Sequence, residues 1–387
     1  MSGAELWLWS ALGVLVFTYV GYPLLLTAWA VLRPRHDARV PDGRSVASVT
    51  VVIAAYNEEA CIRQKIANLL ASDFPAERLE IIVASDGSTD DTVARAEECQ
   101  SDTVRVVAFP ARRGKAAVLN DIVPLARGEL VVFADARQRF ESSALSALSA
   151  RFAEAAVGAV GGELVLVDTQ ANGSEVTHGV SAYWRYEKFI RKQESRVDST
   201  VGVSGAIYAI RKPLFKPIPP DVILDDVLIP MAVVAQGYRV VFEPSARAYD
   251  RTAPTAAAEF RRKVRTLAGN FQLFTREPWL LMPWRNRLWV QTIAHKLCRL
   301  LGPFALVVLF ATSAMLAGDP VYAALFAAQL LFYLGAALGL RFRDRPRKPF
   351  LFNLPYTFCL LNWATVVGLV RWIVGRQSVM WQSNNVR

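Results

Sequence analysis

Asp86, Asp135 and Asp226 each stand at or just beyond the end of a short apolar run: Ile81-Ile82-Val83-Ala84-Ser85-Asp86, Leu130-Val131-Val132-Phe133-Ala134-Asp135 and Ile223-Leu224-Asp225-Asp226. A fourth run, Val49-Thr50-Val51-Val52-Ile53-Ala54-Ala55, stops on Tyr56-Asn57-Glu58. Short β-branched runs of this kind read as strands buried on both faces. In an open parallel sheet, ligands bind just beyond the carboxyl ends of the strands. The chain is therefore expected to deliver its carboxylates to one crevice. There they suit a divalent cation, a sugar hydroxyl, or a base that takes a proton from one.

The elements that must position these residues follow from the pattern on either side. Strand-like runs alternate with helical ones, such as 60–71 and 90–99, which predicts a mostly parallel α/β sheet covered by helices. That stretch is flanked by apolar segments. The chain is 53% hydrophobic and only 20% charged, which points to membrane spans. Residues 6–32 are apolar for long enough to cross a bilayer, which takes about 20 residues, and further apolar stretches lie near 297–317, 321–340 and 352–374. Arg33, Arg35, His36 and Arg39 follow the first, and a basic loop fills 341–349. The positive-inside rule then places the amino terminus outside and residues 33–296 in the cytoplasm. Between the catalytic stretch and the later spans, residues 256–274 mix apolar and basic residues at helical spacing, as an interfacial amphipathic helix does. Trp279, Trp284 and Trp289 suit headgroup depth. The expected division is an N-terminal span in 1–32, a catalytic domain over 45–255, interfacial helices in 256–296 and about three spans in 297–376.

The net charge of +10 crowds near the apolar spans, so anionic lipid explains it better than nucleic acid, for which no motif is present. The four cysteines and three histidines are scattered and form neither a zinc pattern nor a disulfide framework.

The runs Ala55-Tyr56-Asn57-Glu58-Glu59, Asp86-Gly87-Ser88-Thr89-Asp90-Asp91-Thr92 and Gly114-Lys115-Ala116-Ala117-Val118-Leu119-Asn120 come in an order that resembles family 2 glycosyltransferases. The resemblance continues through Phe133-Ala134-Asp135-Ala136, Gly205 to Arg211 and Leu224-Asp225-Asp226, and spans roughly residues 48 to 275. It is closest to the membrane-embedded branch with cellulose, chitin, hyaluronan and poly-N-acetylglucosamine synthases. It implies a GT-A (Rossmann-like) domain set between transmembrane helices.

The resemblance also implies roles. Tyr56, Asn57 and Glu58 contact the nucleotide, and Asp86 reads uracil, which favours a UDP-sugar donor. Lys115 binds the diphosphate. Asp135 occupies the place of a metal-binding DxD pair and implies Mg2+ or Mn2+. Here the second position is Arg137, which cannot ligate a metal. Asp226 is the expected general base. Read as a strand end, Asp225 and Asp226 would point opposite ways, so that only one faces the site. Gly205 lies in an acceptor-side stretch where small residues let a sugar approach the backbone. Gly161, Gly162 and Glu163 are further candidates to line the cleft, and Tyr183, Trp184 and Tyr186 to stack on an acceptor.

Processive members carry Gln-x-x-Arg-Trp where this chain has Arg262-Lys263-Val264-Arg265-Thr266. Arg262 and Arg265 share a helix face and suit the diphosphate, but the stacking tryptophan is missing. The reading is an inverting transferase using UDP-GlcNAc or UDP-glucose to build a β-linked glycan in the bacterial inner membrane, with synthase or export subunits as potential partners. The alternatives are a single transfer to a lipid-linked acceptor, or an inactive nucleotide-sugar-binding subunit of an export complex.

Overall fold

The computed structural model describes residues 2–32, 47–167, 176–251, 255–342, 350–378 and 380. Side chains at 176–183, 256 and 350 lie outside that description, as do the basic clusters read at 33–39 and 343–349.

Eight strands form one sheet: β1 Val49–Ala55, β2 Leu79–Asp86, β3 Val104–Phe109, β4 Leu130–Ala134, β5 Arg139–Phe140, β6 Val157–Val167, β7 Ile207–Arg211 and β8 Arg239–Arg251, in the order β3-β2-β1-β4-β7-β6-β8-β5. The half of the sheet formed by β3-β2-β1-β4 is parallel; β7 runs antiparallel to both β4 and β6. Alternate residues of β1, β2 and β4 enter two separate cores. Val52, Ala54, Ile82, Ala84, Val131 and Phe133 face one; Val51, Ile53, Ile81, Val83 and Val132 face the other. Both faces are covered, so the strands carry apolar residues at nearly every position. Register sets the site: Ala55 pairs with Ser85 and Ile53 with Ala134, so Tyr56, Asp86 and Asp135 emerge along one edge.

Among the described residues, four helices are long and apolar enough to cross a membrane: Gly3–Leu32, Trp289–Met315, Pro320–Arg341 and Leu351–Ile373. Each presents large apolar side chains outward, among them Trp7, Leu24, Val307, Leu331 and Leu351. The first widens to a π-turn over Phe17–Gly21. Pro23, just after it, lacks an N–H and cannot bond back to Tyr19. The Tyr186 hydroxyl donates to the carbonyls of Thr18 (3.2 Å) and Tyr19 (3.3 Å) instead. A buried chain of polar groups ties this span to the α/β domain. Tyr22 donates to Glu194 (2.6 Å), His295 contacts Glu194 (2.8 Å) and Glu187 (2.9 Å), and Arg299 donates to Glu187 (2.7 Å).

The amphipathic helix Ala256–Arg276 lies between the two parts. Gly269 lets it approach Ile223 and Leu224: a Cβ there would stand 2.7 Å from the Leu224 side chain. On its other side Gly368 of the last span meets it, with any added Cβ 3.1 Å from the Ala268 amide and 3.2 Å from the Val264 carbonyl. Gly368→Leu should therefore push the last span off this helix. Overpacking of this kind costs about 1–3 kcal/mol, and the check is a lowered unfolding midpoint in detergent, with Gly368→Ala much milder.

Candidate active site

The β2 edge is built around a buried charge. Asp86 has no exposed surface, and its carboxylate accepts the backbone amides of Arg113 (2.7 Å) and Gly114 (2.8 Å). Two N–H donors satisfy a carboxylate that burial would otherwise make costly. Gly87 permits the approach: it sits at φ 64°, and a Cβ would lie 2.6 Å from the backbone of Ala111 and Arg112. Gly114, at φ 96°, then starts the helix Lys115–Ile122. Asp86 thus holds the 111–114 loop through both of its oxygens.

Across from it, Asn57 takes φ 54° and locks onto the β2 turn. Its amide donates to Ser88 Oγ (3.1 Å), and its side-chain oxygen accepts the Thr89 amide (2.8 Å). The Glu58 amide donates to Thr92 Oγ1 (2.8 Å). The Glu58 carboxyl is pushed up by burial, partly relieved by Cys61 and Arg137. The ring of Tyr56 lies under the Arg112 guanidinium at 3.6 Å. Tyr56 and Arg112 therefore form a flat, cationic wall beside the strand ends.

Asp225 and Asp226 do not end a strand. They open the helix Asp225–Ala235, where carboxylates complement the amino-terminal dipole. The strand reading failed because Val222, Ile223 and Leu224 are apolar for another reason: they pack into the core on the way to the helix. On one helical turn both aspartates reach the same cluster. Lys115 Nζ lies 3.0 Å from Asp135 and 3.4 Å from Asp225. Burial alone would lower the Lys115 ammonium, but Asp135 and Asp225 outweigh it and hold the charge firmly. Asp226 Oδ2 accepts the Gly205 amide at 3.2 Å. Its carboxyl is pushed up to about 6, by burial first and Asp225 second, against the cations Lys115, Lys296 and Arg191. The space left by the missing Gly205 side chain faces Asp226, with an added Cβ 3.3 Å from Oδ2. Gly205 thus orients a carboxylate here.

Arg137 makes its hydrogen bonds to Asp250, while its charge still acts on Asp135 and Glu58. Its guanidinium grips buried Asp250 with two bonds, 3.0 and 2.8 Å, and Gln138 adds a third at 3.0 Å. Asp250 lies at the end of β8, a partner no local pattern announces. Arg262 reaches the same aspartate at 4.0 Å and pairs with Glu259. The Arg265 guanidinium is lowered by burial, with Asp225, Asp226 and Asp135 opposing that shift. It therefore feels the carboxylate cluster, whereas Arg262 pairs with Asp250 and Glu259. Thr266 is exposed, and its hydroxyl bonds back to the Arg262 carbonyl (3.1 Å).

The remaining candidates are placed elsewhere. Gly161 and Gly162 give room to the Val203 side chain and the Ala246 carbonyl, and Glu163 pairs with Lys188. Tyr186 is engaged on the first span, Trp184 lies under Lys263, and the Tyr183 side chain is outside the described residues. Two site residues escaped the sequence reading. Tyr208 is fully buried, stacks on Phe133 at 4.4 Å, and leaves its hydroxyl without a hydrogen bond. Its phenol is pushed well up by burial and by Asp225, Asp226 and Asp135. Gln272, seven positions beyond Arg265, accepts the Ile223 amide (2.9 Å) and donates to the Asp221 carbonyl (2.8 Å).

Among the described residues no three metal-ligating side chains cluster. Asp135 still fits a divalent ion, since its carboxylate is 43% exposed and Mg2+ commonly uses one or two carboxylates with phosphates and water.

Gln272 props the segment that leads into Asp225 and Asp226. Gln272→Ala removes two bonds of about 1 kcal/mol each. Turnover should fall roughly tenfold while nucleotide affinity holds. Gln272→Glu, which can accept but not donate, should recover part. Equal losses in affinity and turnover would assign the residue to general stability.

The glycosyl transferase family 2 model matches residues 50–218. A β-monoglucosyldiacylglycerol synthase of Nostoc is 32% identical over 157 residues, 39% of this chain and 33% of its own. A poly-β-1,6-N-acetyl-D-glucosamine synthase of Staphylococcus aureus is 24% identical over 236 residues, 59% of this chain and 56% of its own. The chain thus spans a third to about half of the length of these curated relatives. A mannosyltransferase of Pyrobaculum calidifontis, PcManGT, solved in complex with GDP-Man and Mn2+, superposes with TM-score 0.71 at 24% identity, over 95% of this chain and 98% of that one. That likeness extends over the apolar helices as well as the sheet. Residues 50–218 are a family 2 glycosyltransferase domain of GT-A fold, flanked by helices long and apolar enough to cross a membrane.

Proposed function

We propose that this chain is an inverting glycosyltransferase that moves a sugar from a UDP-sugar, UDP-GlcNAc or UDP-glucose, to an acceptor held at the membrane. The observation that carries the reading is the convergence of Asp135, Asp225, Asp226 and Lys115 at one sheet edge, beneath an arginine from the amphipathic helix. Asp226, oriented by Gly205 N–H, takes the proton of the acceptor hydroxyl as its oxygen attacks the anomeric carbon. The bond to the diphosphate breaks on the opposite face, so a single displacement inverts that carbon. Lys115 and Arg265 receive the negative charge that develops on the leaving group. A Mg2+ or Mn2+ ion bound at Asp135 would supply further charge neutralisation. Tyr56, Arg112, Asn57 and Glu58 line the nucleotide side.

Transfer to a lipid-linked acceptor, once per acceptor, is favoured over chain growth by one feature. The helix that would carry a stacking platform has exposed Thr266 there. The polysaccharide reading survives if another surface holds the chain. A cytoplasmic catalytic domain is the orientation that the basic residues after the first span and between the last two support, and the reading takes the membrane to be a bacterial inner membrane.

Incubation of the purified chain with UDP-glucose, UDP-GlcNAc or GDP-mannose, Mg2+ or Mn2+, and membrane lipid should release UDP and yield a single-sugar glycolipid. Release from GDP-mannose alone would overturn the donor, and a long product would overturn the single transfer. Asp226→Asn should lower turnover by ~10²–10⁴-fold with little change in UDP affinity. A base must be ionised, so turnover should climb with pH through about 6 and level above it. A rate independent of pH across that range would remove Asp226 from the role.

A further inference from the structure

The ammonium of Lys115 sits where a cation is needed before any donor arrives. It bridges Asp135, from the loop after β4, and Asp225, from the first turn of the Asp225–Ala235 helix, at 3.0 and 3.4 Å. Its origin is fixed from behind: Lys115 is the first residue of its helix, and the Gly114 amide before it is tied to buried Asp86. Asp225 Oδ2 is buried and makes no hydrogen bond among the described residues, so nearby cations balance it: the Lys115 ammonium at 3.4 Å, with Arg265 acting on the same carboxylate. Without a cation there, carboxylates from two elements would repel one another across the cluster.

We propose that Lys115 is a tethered counter-cation. It takes the place beside Asp135 that a divalent ion needs, and it gives way only when ion and donor diphosphate arrive together. The inference rests on the reading of Asp135 as the ion's ligand. Its logic is charge balance. A divalent ion arriving alone must compete with a bound ammonium for Asp135 and then lie close to it. A diphosphate brings negative charge enough to accept both cations, so the ammonium transfers to its oxygens as the ion settles on Asp135. A compact ammonium on a flexible stem can make that move. Ion and nucleotide binding are then coupled, and by the same factor in either direction. The arrangement keeps the ion off the carboxylates until there is a phosphate for it to serve.

The test is Mn2+ binding to the full-length chain in detergent, read from the electron paramagnetic resonance signal of free Mn2+. No turnover is involved. Wild type should bind Mn2+ weakly alone and at least tenfold more tightly with UDP. Lys115→Met should tighten nucleotide-free Mn2+ binding by about tenfold or more and shrink the gain that UDP brings. Lys115→Arg keeps the charge and should stay as weak as wild type. Should the Met variant fail to fold, Lys115→Gln carries the same expectation. Unchanged nucleotide-free affinity in the neutral variants, with Asp135→Asn still abolishing binding, would overturn the role of Lys115 and leave the ion site standing. Tightening in Lys115→Arg equal to that of the neutral variants would overturn it too, since packing and not charge would be the cause. Mn2+ binding indifferent to Asp135→Asn would overturn both this inference and the reading beneath it.

Discussion

The buried carboxylate of Asp86 and the two backbone amides it accepts, those of Arg113 and Gly114, are the constraint on which the donor side depends. An ionised group without solvent must be hydrogen-bonded or be neutralised. Meeting that demand draws the loop after β3 onto the end of β2. The glycines follow from the closeness: Gly87 has no room for a side chain, and Gly114 needs positive φ to turn from the carboxylate into a helix. That turn puts Lys115 at the head of its helix, within reach of Asp135 and Asp225. It also carries Arg112 over Tyr56. One buried charge therefore sets the place of two cations at this edge of the sheet.

The acceptor side is assembled from farther away. Asp226 is set by the Gly205 amide in front and by the Asp221–Leu224 segment behind, and Gln272 of the amphipathic helix holds that segment. The same helix packs on the last apolar span through Gly368. The route from apolar span to Asp226 is thus short and passes through close backbone contacts. Such contacts are stiff, because a glycine-mediated approach leaves no side chain to adapt. A change in the pose of the last span would be felt at Asp226 more readily than at the Asp86 loop, which is braced within the parallel half of the sheet.

The strand ends were legible because burial on both faces leaves an unbroken apolar run, and the polar residue that ends it is conspicuous. That is how Tyr56, Asp86 and Asp135 were found. The same logic misread Val222-Ile223-Leu224, whose burial comes from packing between the sheet and the amphipathic helix and whose continuation is a helix. A short apolar run carries no periodicity to separate the two cases. Asp86 was recognised as a strand-end carboxylate, but sequence cannot show that both its oxygens are engaged by backbone amides. Long-range partners were illegible altogether. Arg137 and Asp250 lie 113 positions apart, and neither has a local signature. Gln272 looked like any polar residue on an amphipathic helix.

Arg137 shows how one substitution reshapes a site without emptying it. A carboxylate in its position would add negative charge beside Asp135; the arginine adds positive charge instead and spends it on Asp250. That bidentate pair is nearly buried on the aspartate side, so removing either partner would strand a charge in a poorly solvated place. The pair joins the loop after β4 to the end of β8, just before the amphipathic helix, and Arg262 leans on the same aspartate. Asp135 is left as the exposed carboxylate of this loop, with Lys115 as its counter-ion. Charge at the site is therefore balanced locally, by Lys115 across Asp135 and Asp225 and by Arg137 across Asp250.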